Sequence, residues 1–520
     1  MGSQQSKTAS PELNEKLADR LRSLSLEGTT AGQPEMSSIE TDYVKIVSEK
    51  SGIVKKMSSS KPTPQTVSIS AAEQWSKAAL ADPKNQLALS ALSANSPNDV
   101  LTQRAAKMLD TQTFNVKIPL EGSPITNQRA SGRCWLFAST NVFRVALMKR
   151  HNLADFQLSQ AYLFFWDKLE KANWFMEQIL DTADEEVTSR TVQTLLSSPV
   201  GDGGQWDMAV NLVHKYGLVP QVLYPDSWNA MNSSTVDSIL TMKLRENALK
   251  LRALKADTRK NRTSTLTSMK ETMMKEIHLI LTLCFGPPPA PDKEFTWQYY
   301  TADGTYKSLV ATPLSFASEL SAPLSIRANA NSDPNRMFSL VNDPRNPLNS
   351  HLTVNRLGNV VGGKPIRYAN VDLATMKRAC VAMLKKGLPI FFGCDVGKFL
   401  DRVDGIMDTA LIDYELGFNI RLGMTKADRL VTGASQMTHA MVLTGVHLDE
   451  GSGLPVRWRI QNSWGEGAGS GGYYVMTDRW WDQFVYQAVV DPAFVDKETR
   501  DIMKKEPVVL DLWDPMGALA

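Results

Sequence analysis

Apolar residues recur at helical spacing through the first two-thirds of the chain. From Cys134 they follow at intervals of three to five residues as far as Met148, and Lys149 and Arg150 close the run. The spacing predicts a helix with Cys134 in its first turn and with C-terminal cations that complement the helix dipole. The same criterion predicts helices over 157–180, 205–216 and 236–283, with a turn at Gly201, Gly203 and Gly204.

The last third of the chain changes to short apolar or alternating runs, separated by turns that contain glycine. In the run VRWRI, Val456, Trp458 and Ile460 alternate with two arginines, which is the pattern of an antiparallel strand with one buried face. His439 comes directly before the apolar run AMVLTGV, and Asn462 directly follows VRWRIQ. We expect these two residues at the ends of neighbouring strands. Helices followed by strands predict an α+β fold.

The N-terminal segment differs in composition from the rest. Residues 1–66 are rich in Ser, Thr, Lys, Glu and Pro, and because they cannot bury enough apolar surface to offset their ordering entropy, we expect a disordered arm. The remaining pattern predicts four segments. These are a hook with the helical half of a core (67–235), a helical insertion (236–330), the sheet half of the core (331–505) and a C-terminal tail (506–520).

Composition points to an ordinary globular protein. The 520 residues are 42% hydrophobic and 22% charged with a net charge of +2, so no global bias favours nucleic acid or a membrane. No apolar run is long enough for a signal peptide or a membrane span, which predicts a cytoplasmic protein without stable membrane insertion. The start MGSQQS fits the myristoylation pattern at Gly2. A plain polar terminus is the alternative, and one acyl chain gives only marginal membrane binding, so a membrane-associated or mitochondrial pool stays open.

The four cysteines fall into two groups. None of them is spaced as in a disulfide framework or a zinc site, so neither a bridge nor a metal is expected. Cys284, Cys380 and Cys394 lie in apolar runs and are predicted to be buried. Cys134 instead follows the polar, flexible NQRASGR and begins a helix. Because a thiol reacts as thiolate, and a helix N-terminus and an imidazolium both favour that anion, Cys134 is the candidate nucleophile.

A thiol nucleophile needs a base with an oriented ring. His439 is the candidate because it begins a buried strand, whereas His447 follows that run and leads into the polar LDEGSG. Asn462, at the end of the expected neighbouring strand, is the candidate to select the imidazole tautomer. Trp464 is placed to cover that contact against water.

These residues together resemble the papain-like cysteine proteases. The matching features are Gln128 six residues before Cys134 in Q-x-x-x-x-x-C-W, His439 in THA, and Asn462 in NSWG. Over about residues 67–520, the runs GRCWLFA, LSQAYLFFWDKLEKAN, DGGQWDM, MTHAMVLTG and WDPMGALA resemble the bleomycin hydrolase group of that superfamily. Ser131 departs from the usual CGSCW, whose first cysteine forms a disulfide; this departure agrees with a reducing cytosol.

The resemblance implies a papain-like fold and a role for each residue. Cys134 would attack the peptide carbonyl as a thiolate paired with the His439 imidazolium, and His439 would protonate the leaving amine from the acyl-enzyme. Asn462 would orient His439. Gln128 and the backbone N–H of Cys134 would stabilise the oxyanion, where one lost donor costs about 2.7 to 4 kcal/mol.

The same resemblance implies how the substrate is chosen. Gly203 and Gly204 would pair with the substrate backbone, beside Trp464, and the carboxylate of Ala520 would meet the substrate's free amino group. A buried anion there selects an aminopeptidase over an endopeptidase. The group further implies a homohexamer with an internal channel, no cofactor, and peptides and related amides, including bleomycin and homocysteine thiolactone-like compounds, as substrates.

Two alternatives remain open at this point. A Cys–His acyltransferase would use the same residues with an acceptor other than water. A nucleic-acid-binding regulator would use the basic stretch 241–275, which holds ten Lys or Arg and three Asp or Glu and would bind by counterion release. The other interpretation of that stretch is a solvated helix face.

Overall fold

The computed structural model describes residues 66–109, 111–256, 262–321 and 333–519. The chain divides into two units, 1–78 and 79–520. In the first unit the described residues begin the helix Ile69–Leu80. The predicted arm up to residue 65, together with Gly2, lies outside the described residues.

Helices dominate the first part of the second unit, as the spacing of apolar residues predicts. The described helices are α1 (Ile69–Leu80), α2 (Pro83–Leu92), α3 (Pro97–Val100), α4 (Arg104–Leu109), α5 (Cys134–His151), α6 (Gln160–Asp181), α7 (Arg190–Ser197), α8 (Trp206–Tyr216), α9 (Trp228–Met231), α10 (Ser234–Ala256), α11 (Arg262–Phe285), α12 (Pro313–Ser318), α13 (Leu373–Lys385), α14 (Tyr414–Phe418), α15 (Lys426–Val431), α16 (Asp478–Phe484) and α17 (Lys497–Ile502). In the described part of the chain, none of them combines the length and apolar character needed to cross a membrane.

Strands fill most of the later part of the chain. They are β1 (Val116–Lys117), β2 (Phe295–Tyr300), β3 (Tyr306–Ala311), β4 (Phe338–Val341), β5 (Ser350–Val354), β6 (Tyr368–Asn370), β7 (Ile390–Cys394), β8 (Leu400–Asp401), β9 (Ile406–Met407), β10 (His439–Leu448), β11 (Pro455–Gln461), β12 (Tyr473–Thr477), β13 (Val485–Val490) and β14 (Val508–Leu510). One sheet has the order β14-β5-β6-β4-β13-β7-β10-β11-β12-β9-β8, with β1 also pairing with β10, while β2 and β3 form a separate hairpin. The fold is α+β.

The central strands of this sheet set the position of the candidate base and its partner. β10 pairs antiparallel with β11, so that Val442 lies opposite Gln461. His439 begins β10 and Asn462 follows β11, and the register therefore brings both to the same end of the sheet. The alternation predicted for β11 is confirmed at Trp458 and Ile460, which are fully buried.

Two details of these strands differ from the sequence-based expectation. Val456 is 42% exposed, because the register shifts between the pairs His447–Arg457 and Leu448–Pro455 and leaves Val456 at an irregularity. His447 lies inside β10 and not in the turn after it. A period-two pattern does not reveal such a bulge, since the bulge depends on the partner strand.

The predicted insertion is helical only in its first part. α10 and α11 replace the single long helical region, and residues 257–261 between them lie outside the described part. The following hairpin β2–β3 has Thr301 N–H bonded to Thr305 O, around a turn that contains Asp303 and Gly304, a hairpin signal that the helical prediction passed over. In the predicted tail, β14 pairs parallel with β5, so part of that tail belongs to the sheet.

Buried charges join α6 to the loop that precedes α8. Lys168 Nζ lies 2.6 Å from Asp202 and 2.5 Å from Asp237, and its side chain is fully buried. Lys171 Nζ lies 2.7 Å from Asp167 Oδ2 and donates to the carbonyls of Gly201 and Gly203, both at 2.7 Å. Breaking a buried ion pair leaves an uncompensated charge. This network therefore fixes the glycine-containing loop.

We expect Lys168→Met to lower the free energy of unfolding by about 3 to 5 kcal/mol, because Asp202 and Asp237 lose their cation inside the protein. The matched control is Lys275→Met, which removes an exposed pair with Glu271 at 2.8 Å and should change stability far less, because solvent screens the pair. Denaturant unfolding of both variants measures the difference. Equal effects would contradict the structural role of Lys168.

Candidate active site

The candidate nucleophile begins a helix, as predicted. Cys134 is the first residue of α5, and it is only 2% exposed. The backbone N–H of Ala440 lies close enough to the thiol to hydrogen-bond with it and lower its pKa. Because Ala440 directly follows His439, the thiol lies beside the first residues of β10.

The loop before Cys134 is held by Ser131, the residue at which this sequence departs from the CGSCW pattern. Ser131 Oγ donates to the carbonyl of Gln128 at 2.6 Å and accepts from Arg133 Nε at 2.9 Å. Its carbonyl accepts from Gln128 Nε2 at 2.7 Å. Hydrogen bonds thus fix this loop, and they leave one N–H of the Gln128 amide for another acceptor.

His439 and Asn462 meet as the strand register requires. Asn462 Oδ1 lies 2.9 Å from His439 Nε2, and it also accepts the N–H of Ser463 at 2.8 Å. An acceptor at Nε2 favours the proton on that nitrogen and leaves Nδ1 as the basic atom of a neutral ring. Both residues are buried, so the contact is protected from water.

Trp464 covers this pair. Its ring centroid lies 4.9 Å from that of His439, at an interplanar angle of 33°. Its backbone pairs with Asn127, one residue before Gln128. The segment 462–464 therefore contacts both the candidate base and the loop of the candidate oxyanion donor.

Burial of the two reacting groups opposes separate charges. Burial raises the pKa of the Cys134 thiol to about 11, although backbone N–H groups act against it. Burial also lowers the pKa of His439 to about 4, against the raising effect of the Asn462 hydrogen bond, while the Arg402 charge lowers it further. Both shifts oppose charge separation in this buried pair, and the thiolate–imidazolium pair stays a prediction.

The two glycines of the predicted substrate site lie in a tightly held loop. A Cβ on Gly204 would lie 2.4 Å from a ring carbon of Trp135, so only glycine fits there. The backbone carbonyl of Asp202 accepts a hydrogen bond from Trp135 Nε1 at 2.7 Å. The side-chain Oδ2 of Asp202 accepts one from the backbone N–H of Gly132, also at 2.7 Å. The loop is thus tied directly to the residues around Cys134.

The described end of the tail lies next to the same loop. Gln205 Nε2 donates to the carbonyl of Ala518 at 2.7 Å, and Leu519 lines a small cavity of about 100 Å³ together with Gly201 and Lys171. Ala520 itself lies outside the described residues.

Two residues of this arrangement escaped the sequence interpretation. Ser463 Oγ donates to Gln128 Oε1 at 2.8 Å, which fixes the orientation of that amide. Gln205 fixes the tail. Both residues stand in motifs that the sequence analysis singles out, Ser463 in NSWG and Gln205 in DGGQWDM. Their partners lie 335 and 313 residues away, so no local pattern shows the contacts.

The other cysteines, and the histidines His151 and His351, pack or hydrogen-bond within the fold. Cys380 and Cys394 are fully buried, as predicted, and Cys284 is half-buried. His151 lies 2.7 Å from Glu319, and His351 Nδ1 lies 2.7 Å from the carbonyl of Lys505. The described residues contain no group of three or more His, Cys, Asp or Glu placed to hold a metal ion.

A helical half, an antiparallel sheet half and a Cys–His–Asn arrangement between them define a papain-like cysteine peptidase. Comparison with known proteins agrees. The model of the Peptidase C1-like family matches residues 66–517, and the chain belongs to that family.

Individual relatives cover most of the chain. Cysteine proteinase 1, mitochondrial, of Saccharomyces cerevisiae is 42% identical over 476 residues, which are 90% of this chain and 95% of the yeast protein. Bleomycin hydrolase of Homo sapiens is 40% identical over 446 residues, which are 84% of this chain and 95% of the human protein. The crystal structure of PepW from Lactobacillus rhamnosis HN001 is 38% identical with a TM-score of 0.82, covering 88% of this chain and 99% of that one. The protein is thus a cysteine peptidase of the bleomycin hydrolase type.

We expect Ser463→Ala to lower kcat by about 2- to 10-fold with little change in KM, because the amide of Gln128, the candidate oxyanion donor, loses the hydrogen bond that orients it. Ser463→Thr keeps the hydroxyl and should restore much of the rate. Steady-state kinetics of the two variants make the test. A kcat of Ser463→Ala equal to that of wild type would contradict this positioning.

The lowered pKa of His439 predicts the acid limit of catalysis. A second proton on the Cys134–His439 pair removes the base, so the acid limb of kcat/KM should lie near pH 4 and not near the ordinary imidazole pKa of about 6.5. At neutral pH the ultraviolet difference spectrum between wild type and Cys134→Ala should lack thiolate absorption, since burial raises the thiol pKa. A thiolate band at pH 7 would show that the ion pair forms at rest.

Proposed function

We propose that the protein is an aminopeptidase that removes N-terminal residues from peptides and related amides through an acyl-enzyme on Cys134. The observation that carries this proposal is the bond from Gln205 to the carbonyl of Ala518. It holds Ala518 of the tail beside Gly203 and Gly204, in the loop tied to the start of α5. A tail held at this loop would limit the room for a substrate that continues on its N-terminal side.

The reaction begins when Cys134 Sγ attacks the carbonyl carbon of the first residue and its proton passes to His439 Nδ1. The C–N bond then breaks, and the leaving amine takes the proton from Nδ1, which leaves a thioester. Water attacks the thioester as Nδ1 accepts its proton, and the amino acid leaves as the proton returns to Sγ. One histidine thus serves as base and acid in turn.

Charge on the carbonyl oxygen during these steps needs fixed donors. We assign that role to the backbone N–H of Cys134 and to the amide of Gln128. Ser463 and Ser131 hold that amide from two sides, so it needs no reorganisation as the oxyanion forms.

Recognition of the free amino group is assigned to the chain terminus. The carboxylate of Ala520 would pair with the substrate ammonium. Gly203 and Gly204 would meet the substrate backbone, although the Gly203 carbonyl also accepts Lys171. A buried charge pair of this kind discriminates strongly against a substrate that lacks the charge.

The proposed substrates, assembly and location of the protein are based on its relatives. One relative is named bleomycin hydrolase, and we propose bleomycin and homocysteine thiolactone-like compounds as substrates here. A homohexamer is part of the same proposal. Four unbridged cysteines favour a reducing compartment such as the cytoplasm, while the yeast relative is named as mitochondrial.

The basic stretch 241–275 gives less support to nucleic-acid binding. Four of its five described lysines, Lys243, Lys250, Lys270 and Lys275, each pair with a glutamate. Arg245 and Arg252 donate to backbone carbonyls. Since paired cations release fewer counterions, these contacts favour the solvated helix face.

The aminopeptidase proposal predicts a strong preference for a free amino terminus. We expect an aminoacyl-amide to exceed its N-acetylated form by about 30-fold or more in kcat/KM, because acetylation removes the charge that the terminus would bind. Cys134→Ala should have no turnover, and Cys284→Ala is the matched control that keeps it.

Product analysis completes this experiment. A free amino acid as the product supports hydrolysis, whereas an acyl group transferred to an added amine would favour the acyltransferase alternative. Equal turnover of the free and acetylated substrates by wild type would contradict the aminopeptidase assignment.

A further inference from the structure

An exposed arginine lies on the tryptophan that covers the candidate base. Arg402 follows β8 in the turn that leads to β9, and its Cζ lies 4.5 Å from the ring centroid of Trp464. Trp464 in turn contacts His439 at 4.9 Å between ring centroids. Arg402 is exposed while His439 is buried, so the guanidinium lies on the solvent side of this stack.

The backbone of Arg402 is fixed, while its guanidinium has no anionic partner among the described residues. Its carbonyl accepts from Tyr474 Oη at 3.1 Å and from the N–H of Gly469 at 3.3 Å. The acidic neighbours Asp401 and Asp404 both bind Lys107, at 2.5 and 2.8 Å. Within the described ranges no carboxylate pairs with the Arg402 guanidinium, and its contact is the ring of Trp464.

The direction of the substrate follows from the proposed reaction. The leaving amine takes its proton from His439, so the part of the substrate that leaves lies on the side of His439 and Trp464. The end of the tail, held by Gln205 at Ala518, is assigned to the opposite side, where the N-terminal residue binds. Arg402 is therefore beside the leaving part of the substrate.

We propose that Arg402 recognises a carboxylate on the leaving part of the substrate and so gives the enzyme a preference for short or acidic peptides. This inference rests on the proposed aminopeptidase function. The carboxylate has two possible sources: the C-terminus of a dipeptide or an acidic side chain next to the cleaved bond. Trp464 holds the planar guanidinium in one orientation, which lowers the entropy lost when its N–H groups bind an anion.

The size of the preference follows from the exposure of the site. An exposed ion pair contributes little, and a charge-assisted hydrogen bond from a pre-organised arginine contributes more. We expect a preference of about 3- to 10-fold in kcat/KM for the anionic substrate, falling at high ionic strength because salt screens exposed charges.

The experiment compares pairs of substrates that differ in one charge. Ala-Ala against Ala-Ala-amide tests the C-terminal carboxylate, and Ala-Glu-amide against Ala-Gln-amide tests the acidic side chain. Each ratio of kcat/KM is measured for wild type, Arg402→Gln and Arg402→Lys. The ratio within one variant cancels any change in the His439 pKa, since both members of a pair use the same base. Arg421→Gln is the matched control, because Arg421 is also exposed but binds Glu415 at 2.7 Å.

The proposal is supported if wild type prefers the anionic member of at least one pair. This preference should be lost in Arg402→Gln, reduced in Arg402→Lys and kept in Arg421→Gln, and the pair that shows it identifies the carboxylate source. Equal ratios in wild type and Arg402→Gln, or no anionic preference in wild type, overturn it.

Turnover of an alanyl-coumarylamide and of its N-acetylated form is measured alongside. Loss of discrimination there contradicts the aminopeptidase function itself, whereas retained discrimination with unchanged ratios contradicts only the role of Arg402.

Discussion

The hydrogen bond from His439 to Asn462 is the contact on which the candidate site depends. It joins the first residue of β10 to the residue after β11, and it exists because those two strands pair in one register. A shift by one residue would turn the imidazole to the other face of the sheet. The bond selects the ring nitrogen that faces away from Asn462, and with it the atom available to the thiol.

The residues after Asn462 extend this constraint to the opposite half of the molecule. Ser463 fixes the amide of Gln128, and Trp464 covers the imidazole while its backbone pairs with Asn127. The sheet half thereby orients both the base and the proposed oxyanion donor, although the latter belongs to the helical half. Burial is the physical consequence of this closure, and it raises the pKa of the Cys134 thiol and lowers the pKa of the His439 imidazole.

A second set of buried contacts supports the other side of the site. Lys168 and Lys171 of α6 hold the loop around Asp202 and Gly203, and Asp202 binds the N–H of Gly132. The same loop continues into Gln205, which binds the tail. Buried ion pairs contribute little net stability. Their role here is positional, since one network sets the loop, the start of α5 and the end of the chain.

The sequence by itself determined the local elements and the chemistry that they carry. The helix that starts at Cys134, the strand that starts at His439 and the strand before Asn462 followed from hydrophobic period, because period reports which face of one element is buried. The motifs around these residues indicated the family. The sequence pattern did not predict the hairpin β2–β3 or the bulge at Val456. The hairpin lies in a region predicted to be helical because helices precede it, and the bulge depends on the partner strand.

Only the tertiary structure decided which distant groups meet. Ser463 reaches Gln128 across 335 residues, and Gln205 reaches Ala518 across 313, so no local pattern contains either contact. The protonation of the Cys134–His439 pair was likewise beyond the sequence, because a pKa depends on burial and on the charges that the fold brings near. Residue type gives a side chain its chemistry, and packing decides its partners and its charge.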